Sequence, residues 1–348
     1  MAAIIDQTRP DLLKCLKSFL IKCGIRWIYR KCGIRWIYYK VVLFPVQSTI
    51  YHIIRPSKKK CCILRPNVSI STTGGVCLYL NRVLGACVYA ELRNMIPVVD
   101  MLTLPNPFLQ DDEVGYINSW KYYFEQPGRI ELDEALSQRD FEVVMLPCSQ
   151  VIVPAQDSKF FKNFLGQLTF WRKMFRKYIR FAPAVLERFE YMKAKYEGMR
   201  ILGVKVRGTD YVTTKPSGHP IPPTPEQVIS KAREAMKENS FDAVYLATED
   251  KKIVSAFQKA FRENLILPEV AYVDYNYDNT VPVENWLYRY HIDRDNDKYL
   301  SGMEYLVSIL FLSRCDGFIT SGNNGSVVAM LLSDGFDYFY FFDLGMYP

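Results

Sequence analysis

The sequence predicts an α/β protein with two doubly wound, Rossmann-type domains that face a cleft. From residue 61 onward, apolar runs typical of strands alternate with stretches of helical periodicity, in two series joined near residues 183–200. The chain of 348 residues is longer than one hydrophobic core usually supports. Its composition, 49% apolar and 23% charged, is that of a folded protein rather than a disordered one.

We divide the chain into a basic arm (residues 1–58), a first α/β domain (59–190) and a second α/β domain (191–348). The first sixty residues hold 13 lysines and arginines against two aspartates, a net charge of +11. Because the whole chain has a net charge of +7, the remaining residues carry −4. The positive charge therefore indicates what the arm binds, and not what the rest of the chain binds.

The arm combines positive charge with aromatic residues. A tandem duplication, "KCGIRWIYR" then "KCGIRWIYY", occupies residues 22–39, and fourteen uncharged residues (41–54) follow shortly after it. This apolar run is shorter than the roughly 20 residues of a membrane-spanning helix, and Pro45 interrupts it. Basic residues interleaved with Trp and Tyr are typical of segments on an anionic membrane surface, which is the partner we expect. Packing on the body is the main alternative, and nucleic acid is not expected because no nucleic-acid motif accompanies the charges.

The cysteines indicate the compartment. The nine cysteines are an odd number, they include no C-x-x-C pair, and adjacent Cys61 and Cys62 are poorly placed for a simple disulfide. We expect reduced thiols and no zinc site. The expected location is the cytoplasm, with peripheral attachment to the inner face of a membrane through the arm.

The first series of elements forms a βαβ unit followed by a long helical region. "CCILRP" (61–66) predicts a strand, "TTGG" a turn that opens a helix, and "IPVVDM" (96–101) the next strand. "FEVVML" (141–146) is a further strand candidate. Residues 157–199 are helical in pattern, with a break near Pro183.

The second series alternates more regularly. Thr224, with Pro225 and Gln227 behind it, predicts a capping box at the start of a helix. The predicted strands are "RILGVKVRG" (200–208), "DAVYLATED" (242–250), "VAYVDY" (270–275) and "DGFITS" (316–321). The predicted helices between and after them are residues 224–239, 251–264, 302–315 and 324–335.

Three strands of this second series end in polar clusters: "VKVRGTD", "VYLATED" and "GFITSGNNGS". In open parallel sheets, ligands bind outside the carboxyl ends of the strands, so the three clusters are expected to meet at one cleft. Any one of them alone is more simply read as a loop with capping residues.

The first two clusters offer side chains suited to a nucleotide. The guanidinium of Arg207 fits a phosphate oxygen, and Asp210 could hold that guanidinium or accept from a sugar hydroxyl; a structural ion pair is the alternative. Thr248, Glu249 and Asp250 could accept from a ribose or a base. Asp250 is equally suited to capping the following helix, and the two roles can coexist.

The third cluster resembles an anion cradle. A Gly- and Ser-rich turn at a helix N-terminus presents backbone N–H groups and the positive end of the helix dipole to an anion. It matches neither G-x-x-x-x-G-K-[ST] nor G-x-G-x-x-G. The candidate residues are Ser321, Asn323, Asn324, Gly325 and Ser326. Together the three clusters predict a nucleoside diphosphate in the second domain, which leaves the first domain for an acceptor.

In this order and spacing, the three clusters resemble the conserved segments of the fucosyltransferase superfamily, which includes the α1,6-fucosyltransferases and the protein O-fucosyltransferases. "INSWKYYFEQP" (117–127) and "GHPIPPTPEQ" (218–227) are similar to a bacterial branch associated with polysaccharide biosynthesis. The resemblance covers about residues 61–345 and excludes the arm. It implies a GT-B fold, GDP-fucose as the donor, inversion at the anomeric carbon, no cofactor and no metal.

The resemblance also implies roles for particular residues. It places the essential arginine at Arg207, the acid of the same segment at Asp210, the second acid at Glu249 or Asp250, and the serine at Ser326 or, second, Ser321. It places the Gly-rich loop with Gly74 and Gly75 on the acceptor side or cleft, where Asn81 is a candidate substitute for an asparagine of the family. Independently of the resemblance, His219 is a candidate acceptor contact, with a rigid turn at "GHP" as the alternative. The sequence departs from the family at Lys205, where a histidine is frequent, at Gly208, where the α1,6 enzymes have a second arginine, and at Tyr79, where some relatives have asparagine.

The expected function is transfer of fucose from GDP-fucose to a glycan or lipid-linked acceptor in polysaccharide biosynthesis. Arg207 would stabilise the departing diphosphate, and Asp210 or Glu249 would be the base, if one is needed. Two alternatives stay open: a non-catalytic nucleotide- or glycan-binding protein at the membrane surface, and a transferase that uses another nucleotide sugar. "DRDND" (293–297) is interpreted as a solvated acidic loop rather than a metal site.

Overall fold

A computed structural model describes residues 60–67, 74–138, 140–146, 158–274 and 292–348. Lys60–Ala90 and Ile96–Pro348 belong to one compact unit, which contains both β-sheets. The basic arm, its repeat and its expected membrane contact lie outside the described residues and stay predictions. The proposed boundaries at 59–190 and 191–348 also stay predictions.

The first sheet has three parallel strands in the order β2-β1-β3. Its elements are β1 (Cys61–Pro66), helix α1 (Val76–Leu92), β2 (Ile96–Val99), helix α2 (Leu132–Ser137) and β3 (Phe141–Leu146). The central strand β1 is almost entirely buried because it has a partner on each side and α2 covers it. The three predicted strands are confirmed, and so is the glycine turn before α1, where Gly74 has φ = +91°. The short helix α2 was not predicted.

Two helices lie between the sheets in the described part of this connection, residues 158–200. They are α3 (Ser158–Tyr178) and α4 (Pro183–Ala194), with Pro183 at the start of α4. The predicted break near Pro183 is therefore confirmed, and it falls where a proline is tolerated, at the first helical position. Among the described residues, no helix is both long enough and apolar enough to cross a bilayer.

The second sheet has five parallel strands in the order β6-β5-β4-β7-β8. Its chain order is β4 (Ile201–Lys205), helices α5 (Asp210–Thr214) and α6 (Pro225–Asn239), β5 (Ala243–Ala247), α7 (Lys251–Phe261), β6 (Leu265–Ile266), α8 (Asp297–Leu312), β7 (Gly317–Ser321), α9 (Asn324–Leu332) and β8 (Tyr338–Phe342). The strand order reverses between β4 and β7. The crevice at the carboxyl ends of these two strands is therefore the topological switch point of a doubly wound sheet.

The sequence predicted most of these elements correctly. Thr224 forms the predicted capping box with Gln227 at the start of α6, and Asp250 caps α7 through the backbone N–H groups of Lys252 and Ile253. The strand predicted at "VAYVDY" is wrong. The edge position beside β5 is already occupied by β6, and the later segment contributes only an isolated bridge between Asp250 and Val273. Strand β8 was missed, and α8 begins five residues earlier than predicted.

The segment "INSWKYYFEQP", which lies between β2 and β3 in the chain, packs against helix α8 of the second series. Tyr123 is buried; its hydroxyl donates to the carbonyl of Tyr299 at 2.9 Å, and the two rings stack with centroids 6.0 Å apart. Gly302, on α8, lies directly against the Tyr123 ring. A side chain at position 302 would occupy the space of that ring, so the contact depends on glycine.

Gly302→Ala is expected to destabilise the protein by about 1–3 kcal/mol, because the added methyl group must displace the Tyr123 ring from a packed junction. Urea denaturation measures the change in the free energy of unfolding. Gly166→Ala, in the exposed middle of α3 with open space around it, is the matched control. It should be neutral or stabilising by about 0.5–1 kcal/mol. Equal effects of the two substitutions would contradict the packing argument.

Candidate functional site

A pocket of about 580 Å³ lies at the carboxyl ends of β4, β5 and β7, beside the switch point. Its volume is within the range of small-molecule sites, roughly 300–1,000 Å³. The first sheet's side contributes the turn that opens α1, together with Arg82 and Phe108. The second sheet's side contributes the strand ends and one face of α8, including Tyr305.

The pocket brings together eight of the residues predicted from the sequence. They are Gly74, Gly75, Arg207, His219, Thr248, Glu249, Asn323 and Asn324. Five other predicted residues do not line the pocket: Asn81, Asp250, Ser321, Gly325 and Ser326. The side chain of Asp210 lies outside what the structure describes. The roles assigned to all these residues stay predictions; their positions are what the structure adds.

A largely buried carboxylate, that of Glu249, lines the pocket and is shared by two cations. Glu249 accepts from Lys205 Nζ at 3.3 Å and forms an ion pair with Arg207 at 3.2 Å, each cation on a different carboxylate oxygen. The parallel register of β4 and β5 pairs Lys205 with Ala247, so Arg207 and Glu249 each follow two residues beyond that pair. Adjacent strand ends therefore bring the three charges together.

Burial makes this network electrostatically strong. The Lys205 side chain is 1% exposed and that of Glu249 14%. Burial lowers the pKa of Lys205, although Glu249 opposes this shift. Burial by itself raises the pKa of Glu249, but Lys205 and Arg207 outweigh it and hold that pKa below its usual 4.5. Two cations against one carboxylate leave a net positive charge, which favours an anionic ligand.

Arg207 is also held by an aromatic ring. Its guanidinium lies over the Tyr211 ring, 4.7 Å from the centroid, and the Tyr211 hydroxyl is 2.9 Å from Nδ1 of His219. His219 is held in turn by the segment Gly345–Tyr347, whose backbone bonds to residues 218–221. Arg207 is thus positioned from both sides.

Thr209 has a strained backbone at the end of β4. It is fully buried with φ = +55° and ψ = −125°, a region that β-branched residues rarely adopt. Its hydroxyl lies 3.5 Å from Glu249 Oε1. Strained, buried residues of this kind concentrate at functional sites, where the surrounding contacts enforce the conformation.

The Gly- and Ser-rich turn is fixed by internal hydrogen bonds. Asn323 caps α9, because its Oδ1 accepts from the backbone N–H of Ser326 at 2.9 Å, and the Ser326 hydroxyl bonds to that of Thr320. The Ser326 N–H is therefore engaged within the protein. Asn324 accepts from Asn81 Nδ2 at 3.0 Å, which joins α1 to this turn. Asn323 and Asn324 are the members of the turn that face the pocket.

The acidic segments "LATED" and "DRDND" each contain a buried aspartate. Asp250 is fully buried behind the pocket, and burial raises its pKa. In "DRDND", Asp293 and Asp295 are exposed as expected, but Asp297 is buried and pairs with Arg294 at 2.7 Å. The interpretation of the whole segment as solvated is wrong for Asp297, which helps to anchor the start of α8. Within the described ranges, no cluster of His, Cys, Asp and Glu has the make-up of a metal site.

Several residues that line the pocket were not predicted to do so. Lys205 was noted only as a departure from a family pattern, although a lysine within the apolar strand "ILGVKV" was itself a signal. Residues of α1 and α8 were missed because only the packing of those helices turns them toward the strand ends. They are Arg82, Lys298, Ser301, Glu304 and Tyr305.

The fold and the pocket define a doubly wound α/β protein with a positively charged site at its switch point. No family model and none of the curated proteins matches this chain. Solved structures do. The fucosyltransferase NodZ from Bradyrhizobium has 16% sequence identity and a TM-score of 0.50 over 80% of this chain and 94% of that one.

Two further structures are similar at lower scores. NodZ α1,6-fucosyltransferase co-crystallised with GDP has 15% identity and a TM-score of 0.47, over 80% of this chain and 93% of that one. POFUT1 in complex with GDP has 11% identity and a TM-score of 0.44, over 83% of this chain and 100% of that one. The likeness to the Bradyrhizobium enzyme shows that this chain has the fucosyltransferase NodZ fold. The expected α/β class, with parallel sheets, is confirmed.

Glu249→Gln is expected to lower the free energy of unfolding by about 3–5 kcal/mol at pH 7, because Lys205 is left buried without its counter-charge. The folded-state pKa of Glu249 is lowered, so the ionised carboxylate stabilises the fold fully above pH 4.5. This contribution is lost as the pH falls through the folded-state value.

The difference between wild type and Glu249→Gln should therefore shrink below pH 4.5, which urea denaturation between pH 3 and pH 7 measures. Glu269→Gln, at an exposed ion pair with Lys195, is the control and should change stability by less than about 1 kcal/mol. A difference that is independent of pH would contradict the assignment.

Proposed function

We propose that this protein is a metal-independent, inverting glycosyltransferase that moves fucose from GDP-fucose to a glycan or lipid-linked acceptor. The observation that carries the proposal is the network of Arg207, Lys205 and Glu249 at the switch-point pocket of a fold shared with a fucosyltransferase. A wall with a net positive charge stabilises the charge that develops on a departing nucleoside diphosphate.

The donor lies along the strand ends in this proposal. Arg207 contacts the diphosphate, Lys205 adds positive charge from below, and Asn323 and Asn324 contact the ligand from the turn that begins α9. Thr248 and Glu249 lie where a ribose or base would pass the end of β5. The acceptor enters beside Gly74, Gly75 and Phe108 on the opposite wall.

The transfer is a single displacement. The acceptor hydroxyl oxygen forms a bond to the anomeric carbon of fucose as the bond from that carbon to the diphosphate oxygen breaks. The electron pair passes to the diphosphate, where Arg207 stabilises the added charge. The proton of the acceptor hydroxyl passes to a base. Of the two candidates, Glu249 is the weaker one, because its pKa is lowered and both its oxygens are engaged by cations, so Asp210 takes the proton.

The remaining parts of the proposal rest on the sequence. The similarity to a bacterial branch associated with polysaccharide biosynthesis supports a glycan or lipid-linked acceptor. The basic, aromatic arm supports a peripheral position on the inner face of a membrane.

The test of donor class is calorimetric titration of the full chain with GDP, UDP and ADP, each with and without a chelator. GDP is expected to bind most tightly, and the chelator should not change its affinity. Tighter binding of UDP or ADP, or a requirement for metal, would overturn the assignment of the donor.

Arg207→Met is expected to reduce release of fucose from GDP-fucose, to water or an acceptor, by about 10²–10³-fold, the cost of removing one donor that stabilises developing charge. Arg207→Lys should recover only part of this loss, since an ammonium cannot reproduce the planar, bidentate contact. Product release is followed by chromatography of GDP. Unchanged turnover in Arg207→Met, with the fold intact by circular dichroism, would remove Arg207 from the mechanism.

A further inference from the structure

Arg82 is a half-buried cation on the wall of the pocket that faces the strand ends. It lies in the second turn of α1 and lines the pocket on the first sheet's side. The helix around it is well anchored, since Tyr79, Leu80, Val83 and Leu84 are all buried. The guanidinium is therefore presented from a rigid element and not from a mobile loop.

The guanidinium of Arg82 has no acceptor among the residues that the structure describes. It lies over the ring of Tyr79, with the guanidinium carbon 5.9 Å from the centroid, at the outer limit of a cation–π interaction. An aromatic face satisfies none of the five N–H donors of an arginine.

The other pocket cations are all paired. Lys205 and Arg207 share Glu249, and Lys298 forms an ion pair with Asp111 at 3.0 Å. Arg82 thus differs from them in lacking a carboxylate partner in the described part of the chain.

Partial burial without a counter-charge is unfavourable for the protein alone. Burial lowers the pKa of Arg82, which reflects the cost of holding its charge away from water. A buried charge is normally compensated by a partner of opposite sign, and here the open side of Arg82 is the pocket itself. An anionic ligand bound in the pocket would supply such a partner.

The position of Arg82 relative to the donor side is fixed by its neighbour. Asn81 donates to Asn324 at 3.0 Å, so this part of α1 is held against the turn that begins α9. A ligand bound at Asn323 and Asn324 therefore has the first sheet's wall, with Arg82, beside it.

We propose that Arg82 binds an anionic oxygen, of a phosphate or a carboxylate, on a substrate that fills the pocket. The anion has two sources: the diphosphate of the donor, or an acidic group carried by the acceptor. The assignment of these sources rests on the proposed function, whereas the anion site itself rests on Arg82 alone.

The experiment compares wild type, Arg82→Met and Arg82→Lys as full chains. Calorimetry measures GDP binding to the free protein, and inorganic phosphate binding to both the free and the GDP-saturated protein. Arg233→Met is the matched control, because Arg233 also lies over an aromatic ring, that of Phe261, but is exposed and away from the pocket. Thermal melting followed by circular dichroism checks that each variant is folded.

If the donor is the source, Arg82→Met should weaken GDP binding by about 10- to 100-fold, the usual effect of losing a hydrogen bond to a charged group, and Arg82→Lys by less. If the acceptor is the source, GDP affinity stays unchanged, and phosphate binding to the GDP-saturated protein is lost in Arg82→Met. The control should match wild type in every titration.

The proposal is overturned if Arg82→Met matches wild type for GDP and for phosphate, or loses no more affinity than Arg233→Met. Failure of the proposed function would look different. In that case wild type itself would not prefer GDP, and phosphate binding to the free protein would still decide whether Arg82 is an anion site.

Discussion

The site depends on one largely buried carboxylate, that of Glu249, which is shared by Lys205 and Arg207. Two cations close together in this crevice repel each other, and the carboxylate between them offsets that repulsion. The parallel register of β4 with β5 supplies the geometry, since it brings Lys205, Arg207 and Glu249 to the same edge of the sheet. Strained Thr209 and the ring of Tyr211 then complete the enclosure of Arg207.

Much of the fold could be predicted because local patterns and tertiary structure agree. Strands β1, β3 and β7 are short apolar runs bounded by polar residues or turns, and the capping box at Thr224 fixes the start of α6. The failures are non-local. "VAYVDY" has strand propensity, but β6 reaches the sheet edge first. The aromatic run Tyr338–Phe342 forms an edge strand only because β7 offers it an unpaired side.

Part of the site was predictable because some of its residues directly follow strands that the local pattern reveals. Residues that directly follow strands, such as Arg207, Thr248 and Glu249, could be placed together from strand order alone. Arg82 and Tyr305 could not, because they lie on helices whose inward faces depend on how the two sheets' layers pack. Asp250 and Ser326 were chosen for chemistry that they have, but nearby backbone N–H and hydroxyl groups engage them behind the pocket wall.

The hydrogen bond between Asn81 and Asn324 joins the two walls of the pocket without adding charge to either of them. Neither amide titrates in the range where proteins are stable, so this latch between α1 and the start of α9 holds equally in acid and in base. The network around Glu249, by contrast, changes protonation state with pH. Acidity therefore changes the charge of the crevice and the ion pairs around Glu249, whereas the hydrogen bond between Asn81 and Asn324 does not depend on it.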